Sequence, residues 1–451
     1  AIALSMMAYH RKIALIYAVD LIGAGIGALS VMLLLQYFPA VTLLSVIALA
    51  GITASLFALP GTGYRQKRAV AALLMLCMLA VLLIPQKWLT LHMSEYKGLA
   101  QTLLIKDTAL RLSHSSPIAR TDVVQSPLVP FRNAPGLSLQ SPAGPPEQLA
   151  VFRDGDEMTT IDFVTGKASL EYYDYMSSAL PYHVHSSPQN ALLLASATGA
   201  AILQAHFYEI PHIDAVEPDA QLSRLFSEVF AEYFNWQDIQ NKVEIHSISP
   251  RGFAAAEKKY DVIALGPTGA SAGGSAGVYA LSASYDYTIE ALQSYLKLLA
   301  PDGVLSLTQW TSTPARGNLK LFATAVKAMQ LNGITSPENN IAWIRSWNTA
   351  TLLLKNSALS SNEIKRVRDF SIARGFDLAW LPGIQPDETN RFQLLQQPVF
   401  YLTALALLDQ DRSLDTAQNN SQNSGQNYSR QNNFIEDYKY DIRPATDNRP
   451  Y

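Results

Sequence analysis

Carboxylates and histidines are the groups in this 451-residue chain that could move protons or hold a metal, and they are thinly spaced. Asp286 and Glu290 stand four residues apart, which places two side chains on one helix face; an ordinary solvated face has the same spacing. Asp20 lies inside an apolar run. A charge there is either functional and turned toward other helices, or neutral and hydrogen-bonded in packing. His183, His185, His206 and His212 make no metal-ligand spacing with nearby carboxylates, so no metal site is expected. The single cysteine, Cys77, permits neither an internal disulfide nor a cysteine metal site. No Gly-X-Ser-X-Gly elbow offers hydrolase chemistry. Gly23-Ala-Gly25-Ile-Gly27 has the look of a phosphate loop, but no strand precedes it. Gly23 and Gly27, at i and i+4, more simply let two helices approach closely.

The elements that must position these groups divide by composition. Charged residues are 16% of the chain and hydrophobic ones 49%. The charge deficit falls on the first ninety or so residues. Three apolar stretches, Ile13–Phe38, Val41–Leu59 and Ala69–Pro85, each come near the ~20 residues that cross a bilayer as a helix. Arg11 and Lys12 precede the first, and Arg65, Lys67 and Arg68 lie between the second and third. The positive-inside rule then puts the start and the second loop in the cytoplasm, and everything after Lys87 outside. The net charge of -3 gives no basic face for nucleic acid.

Beyond this segment, residues 91–170 read as strands and turns, with Asp154-Gly155 as a hairpin signal between Leu149–Arg153 and Met158–Val164. Residues 171–410 alternate strands and helices. Strands are expected at Ala191–Ala195, Ile213–Glu217, Val243–Ser247, Tyr260–Leu265 and Val304–Thr308, with Asp219 capping a helix and a further helix at Tyr285–Leu299. Ile341–Ser346 and Ala350–Lys355 read as a closing antiparallel hairpin. The alternation implies an α/β fold with a parallel sheet covered on both faces. Residues 411–437, dominated by Asn, Gln and Ser, read as a polar linker.

Several stretches in this order resemble the polyamine aminopropyltransferases, specifically the bacterial membrane-fused spermidine-synthase-like proteins. They are Tyr17-Ala-Val-Asp20, Glu95-Tyr-Lys-Gly98, Ala134-Pro-Gly-Leu-Ser138, Val216-Glu217-Pro218, Tyr279-Ala-Leu-Ser282, Tyr285–Ala291, Pro301–Leu305 and the tail Ile442–Pro450. The resemblance implies a Rossmann-like methyltransferase/spermidine synthase sheet with an N-terminal β subdomain, preceded by transmembrane helices. It also implies a tail, 438–451, that leads toward a further membrane segment, and a location in the bacterial inner membrane. Enzymes of the family move the aminopropyl group of decarboxylated S-adenosylmethionine to putrescine, and a carboxylate helps deprotonate the attacking amine.

Carried onto this chain, the resemblance implies a cofactor site built from Thr198, Gly199, Glu217, Ser249 and Gly266. Glu217 would accept the ribose hydroxyls at the end of the second strand. The surrounding motifs have diverged. The first loop reads Ala195-Ser196-Ala197-Thr198-Gly199-Ala200 where the family is glycine-rich with a carboxylate. The third strand leads to Ile248-Ser249 rather than Gly-Asp. The fourth leads to Gly266-Pro267-Thr268-Gly269, which offers no proton acceptor. Tyr173-Asp174-Tyr175-Met176 stands where the family has Tyr-His-Glu-Met, leaving Asp174 and Tyr173 as catalytic candidates. Two readings follow. One is a membrane-anchored, periplasmic domain whose transferase chemistry is lost, binding a membrane or periplasmic protein partner, with Gly266–Gly277 as a mobile lip. The other is an active aminopropyltransferase or S-adenosylmethionine-dependent methyltransferase.

Overall fold

The computed structural model describes residues 6–7, 9–57, 64–83, 93–254, 258–267, 284–417 and 435–451. The expected lip beyond Pro267, the Tyr279–Ser282 motif and the polar stretch Gln418–Asn433 lie outside the described residues.

The chain opens with three helices, Ile13–Leu34, Ala40–Phe57 and Tyr64–Leu83. Among the described residues one segment, His10–Leu34, is long and apolar enough to cross a bilayer, and none of it is buried against the rest of the protein. The apolar parts of the other two, Ala40–Ser55 and Arg68–Val81, are shorter. A Cβ added at Gly23 or Gly27 would meet nothing within 4 Å. The close helix approach expected at that pair is therefore not made among the described residues.

Four strands follow: β1 (Ala109–Ser115), β2 (Arg120–Gln125), β3 (Gln148–Arg153) and β4 (Glu157–Asp162), an antiparallel sheet in chain order. Asp154 and Gly155 make the β3–β4 turn with φ of 49° and 78°. Asp156 N closes the turn on Arg153 O at 3.0 Å. Positive φ at both central positions is what this hairpin turn demands, and Asp-Gly supplies it at least strain. Side chains alternate as the strand period requires. Val123 and Val151 join the main core, while Val124, Ala150 and Phe152 pack with Leu99 on the other face.

The second sheet contains β5 (Asn190–Leu194), β6 (His212–Val216), β7 (Val243–His246), β8 (Tyr260–Leu265), β9 (Leu299–Trp310), β10 (Ile341–Arg345), β11 (Thr349–Lys355) and β12 (Asp377–Trp380). Its order is β12-β10-β11-β9-β8-β5-β6-β7. Strands β5 to β9 are mutually parallel, and β11 inserts antiparallel between β9 and β10. Helices Ala200–Phe207 and Ser361–Arg374 cover one face; Ile289–Lys297, Gly317–Leu331 and Val399–Ala417 cover the other. Successive β5 residues serve opposite faces, Ala191 and Leu193 in one core and Leu192 and Leu194 in the other. This is a Rossmann-like, parallel-rich α/β sheet.

Three local differences from expectation have physical causes. The helix expected from Tyr285 begins at Ile289, because Thr288 caps it by accepting from Ala291 N at 3.3 Å. β9 begins at Leu299, so Pro301-Asp302-Gly303 lies within a strand whose pairing with β8 is irregular near Tyr260. Helix Val399–Ala417 continues past residue 411, where the polar linker is expected to begin.

Candidate functional site

Ligands of doubly wound sheets lie outside the carboxyl ends of the strands, where the strand order reverses. Here the chain leaves β5 for β6 and β7 on one side, then returns to β8 and β9 on the other. The crevice is bordered by loop 195–199 after β5, Glu217 after β6, Ser249 after β7 and Gly266 after β8.

Loop 195–199 keeps a glycine-type path with a single glycine, Gly199. Ala195, Ala197 and Gly199 take φ of 52°, 47° and 91°. The left-handed region costs an L-residue about 1–2 kcal/mol because its Cβ crowds the carbonyl oxygen. At Gly199 a Cβ would fall 2.7 Å from Phe234 and 3.3 Å from Phe226, so glycine is required there by packing. Thr198 is buried and donates to Thr160 O of β4 at 2.7 Å, which ties the loop to the N-terminal sheet.

Glu217 is 4% exposed. One carboxylate oxygen accepts from Ala197 N at 2.8 Å and the other from Asp219 N at 3.0 Å. Burial pushes its pKa up, and the two backbone N–H groups act against that. Asp219 performs the cap expected of it, accepting from Gln221 N at 3.1 Å, while its second oxygen accepts from Ser116 at 3.0 Å. The carboxylates at this end of β6 thus hold the loop, the next helix and the β1–β2 connection together.

The other two borders differ. Ser249 is exposed and caps the turn Pro250–Phe253 by accepting from Gly252 N at 3.1 Å. Gly266 accepts from the Tyr287 hydroxyl at 3.3 Å, and the space beside its Cα is open. The tail reaches this neighbourhood. Tyr451 exchanges backbone hydrogen bonds with Ser284 at 3.1 and 3.3 Å, and its ring lies 5.3 Å from that of Tyr287. Its hydroxyl donates toward Gln309 at 2.9 Å and also contacts Gly317 O. Asp447 accepts from Arg251 at 2.7 Å and Thr288 at 2.8 Å, and its N–H donates to Glu290 at 3.1 Å. Burial raises the pKa of neighbouring Asp286, against the charge of Arg251.

Asp174 and Tyr173 have partners other than Glu217. Tyr173 is 1% exposed, and its hydroxyl donates to Asp162 at 3.0 Å, beside Tyr172 and Gln148 on the same carboxylate. Asp174 lies 2.7 Å from His183 Nε2, accepts from Tyr208 at 2.6 Å and pairs with Arg374. Burial would raise its pKa, but the bonds from His183 and Tyr208 and the Arg374 charge prevail, holding it well below the usual carboxylate range. So acidic a group is a poor general base near neutral pH. Tyr208 closes helix Ala200–Phe207 at the end remote from loop 195–199, so the helix separates this cluster from the crevice. Arg374 lies 200 residues from Asp174 in the chain, and no local motif announces the pair.

Among the described residues, Asp214, Glu244 and His246 bring ligand atoms within 4.8 Å of one another. Asp214 already accepts from Lys258 Nζ at 2.5 Å and Tyr260 at 2.9 Å. A lysine ammonium therefore neutralises the carboxylate a cation would need.

No family model matches the sequence, and no curated protein matches it. Among solved structures, the chain is similar to a spermidine synthase in complex with the transition-state analogue AdoDATO: 15% identity, 65% of this chain and 87% of that chain, TM-score 0.40. It is similar to a probable spermidine synthase from Corynebacterium glutamicum: 13% identity, 64% and 97%, TM-score 0.41. It is also similar to human methyltransferase-like protein 13 in complex with SAH: 16% identity, 44% and 90%, TM-score 0.32. The strand order, rather than these likenesses, defines the fold class.

Proposed function

We propose that this is a membrane-anchored, spermidine-synthase-like protein that has lost aminopropyl transfer and serves as a binding or accessory domain. The carrying observation is Glu217. It is the one carboxylate kept from the family's site, and both its oxygens accept backbone N–H groups at 2.8 and 3.0 Å while it is 4% exposed. The alanines at 195 and 197 and the absence of a proton acceptor at Gly266-Pro267 point the same way. The apolar helix His10–Leu34 supports anchoring. For a domain on the outer, periplasmic side of a bacterial inner membrane, the support is the positive-inside reading of Arg11, Lys12, Arg65, Lys67 and Arg68 together with one juxtaposition. The corner Tyr37–Pro39, expected outside, lines a cavity together with β1 and β2 of the soluble part. On this reading the domain meets a membrane or periplasmic protein partner and not nucleic acid.

A transferase reading retains one supporting observation. Each Glu217 oxygen can accept a second hydrogen bond, so ribose hydroxyls could join the backbone donors if the loop opened. The test is an assay of the purified full chain with decarboxylated S-adenosylmethionine and putrescine. No product above the enzyme-free rate is expected. Turnover that disappears in Glu217→Ala would reinstate the enzyme.

A further inference from the structure

The first apolar helix ends at Leu34, and the chain reverses into the next helix at Ala40. Tyr37 and Phe38 mark this corner, 77% and 47% exposed. Aromatic residues concentrate at headgroup depth, where an apolar ring with a polar edge meets both media. Against the corner lies the N-terminal sheet, at its edge strand β1. Tyr37, Phe38 and Pro39 on one side, with Ser113, His114 and Arg120 on the other, enclose about 270 Å³. That is near the ~300 Å³ at which ligand pockets begin.

The polar lining has unused capacity. Arg120 places Nε and Nη2 on a single oxygen of Asp122, at 3.2 and 2.9 Å. Its Nη1 has no protein partner among the described residues. Asp122 is fully buried and Arg120 is 43% exposed, so only the cation of this pair meets the cavity. Ser113 and Ser115 stand opposite Asp122 and Arg120 in the strand register, so their hydroxyls share the face of Arg120 and line the same cavity. A guanidinium edge and two hydroxyls form a donor set for phosphate oxygens. One cation backed by a carboxylate suits a singly charged phosphodiester better than a doubly charged monoester.

We infer that this junction cavity binds the phosphate ester of a membrane phospholipid, with the phosphodiester on Arg120, Ser113 and Ser115 and the glycerol against Tyr37 and Phe38. The inference rests on the membrane-anchored reading. A bound headgroup would hold the N-terminal sheet down on the bilayer surface.

The test uses the full chain, purified in detergent and delipidated, in native mass spectrometry. The probes are phosphatidylglycerol, diacylglycerol with the same chains, and inorganic phosphate. Phosphatidylglycerol should bind at least about tenfold tighter than diacylglycerol, since only it carries the phosphate. Arg120→Gln and Ser113→Trp should each abolish that preference. The second variant fills the cavity from an exposed position and leaves the Arg120–Asp122 pair intact, so a folding defect in the first would not mimic the result. Equal binding of the two lipids, or a preference that survives both variants, overturns the site. Binding of inorganic phosphate without any lipid preference overturns the lipid occupant. Carbonate extraction of native membranes separates the two readings. Release of the chain would sink the anchor itself, whereas retention without lipid preference would sink only the headgroup site.

Discussion

Two carboxylates, Glu217 and Asp174, are held by opposite means. Glu217, at the carboxyl edge of the sheet, is gripped by backbone N–H groups in a buried place, and burial raises its pKa. Asp174, beyond the far end of helix Ala200–Phe207, is gripped by Arg374, His183 and Tyr208, and its pKa is driven down. One is a fixed strut of a loop and the other a strongly acidic anchor between elements. The contrast shows two ways in which an α/β fold commits a carboxylate to its own structure. Both carboxylates are engaged by contacts that a ligand would have to break.

The largest expected effect is on the strut. Glu217→Ala leaves two buried N–H groups without their charged acceptor and should cost about 3 kcal/mol. Glu217→Gln, which keeps one acceptor, should cost roughly a third of that. Urea unfolding of the full chain in detergent, followed by tryptophan fluorescence, measures both. Equal, negligible losses would break the comparison, because Glu217 would then be free for a ligand.

Next is pH, where the two sites should differ in sign. The folded pKa of Asp174 is depressed, so its stabilisation is present above the ordinary carboxylate value of ~3.9 and lost as pH falls toward the depressed one. Asp174→Asn should therefore cost about 2 kcal/mol at pH 7 and progressively less below pH ~4. The folded pKa of Glu217 is raised, so its contribution is greatest below the ordinary ~4.3 and declines as pH rises through the raised value. The gap between wild type and Glu217→Gln should narrow over that range. Unfolding curves from pH 3 to 8 would expose parallel slopes, which this contrast forbids.

The smallest effect sharpens the loop. Ala197→Gly removes a methyl from a left-handed residue but adds freedom to the unfolded chain, for a net gain of about 0.5–1 kcal/mol. A loss on this substitution would mean that the Ala197 methyl packs favourably enough to outweigh its backbone strain.

Much of the central sheet was legible because its strands are short apolar runs broken by turn residues. Those of β5, β6, β7, β8, β10 and β11 fall where the pattern puts them, and Asp219 caps as its position suggests. β12 was not legible. Four residues are too few to show a period, and the strand is fixed by the buried pair of Asp377 with Arg345 and by the backbone N–H groups of residues 391–393. At the site, the missing glycines could be read, but the positive φ retained at Ala195 and Ala197 could not. Nor could the tail's hold on Arg251, Thr288 and Gln309, because those contacts join residues 134 or more apart in the chain.

Calorimetric titration of the full chain in detergent with S-adenosylmethionine, its decarboxylated form and methylthioadenosine asks whether the crevice is closed by its own residues. With Glu217 engaged by Ala197 and Asp219, no heat of binding is expected from any of the three, from protein shown to be folded by its unfolding curve. Micromolar binding that vanishes in Glu217→Ala would contradict the proposed loss of chemistry and favour the transferase reading.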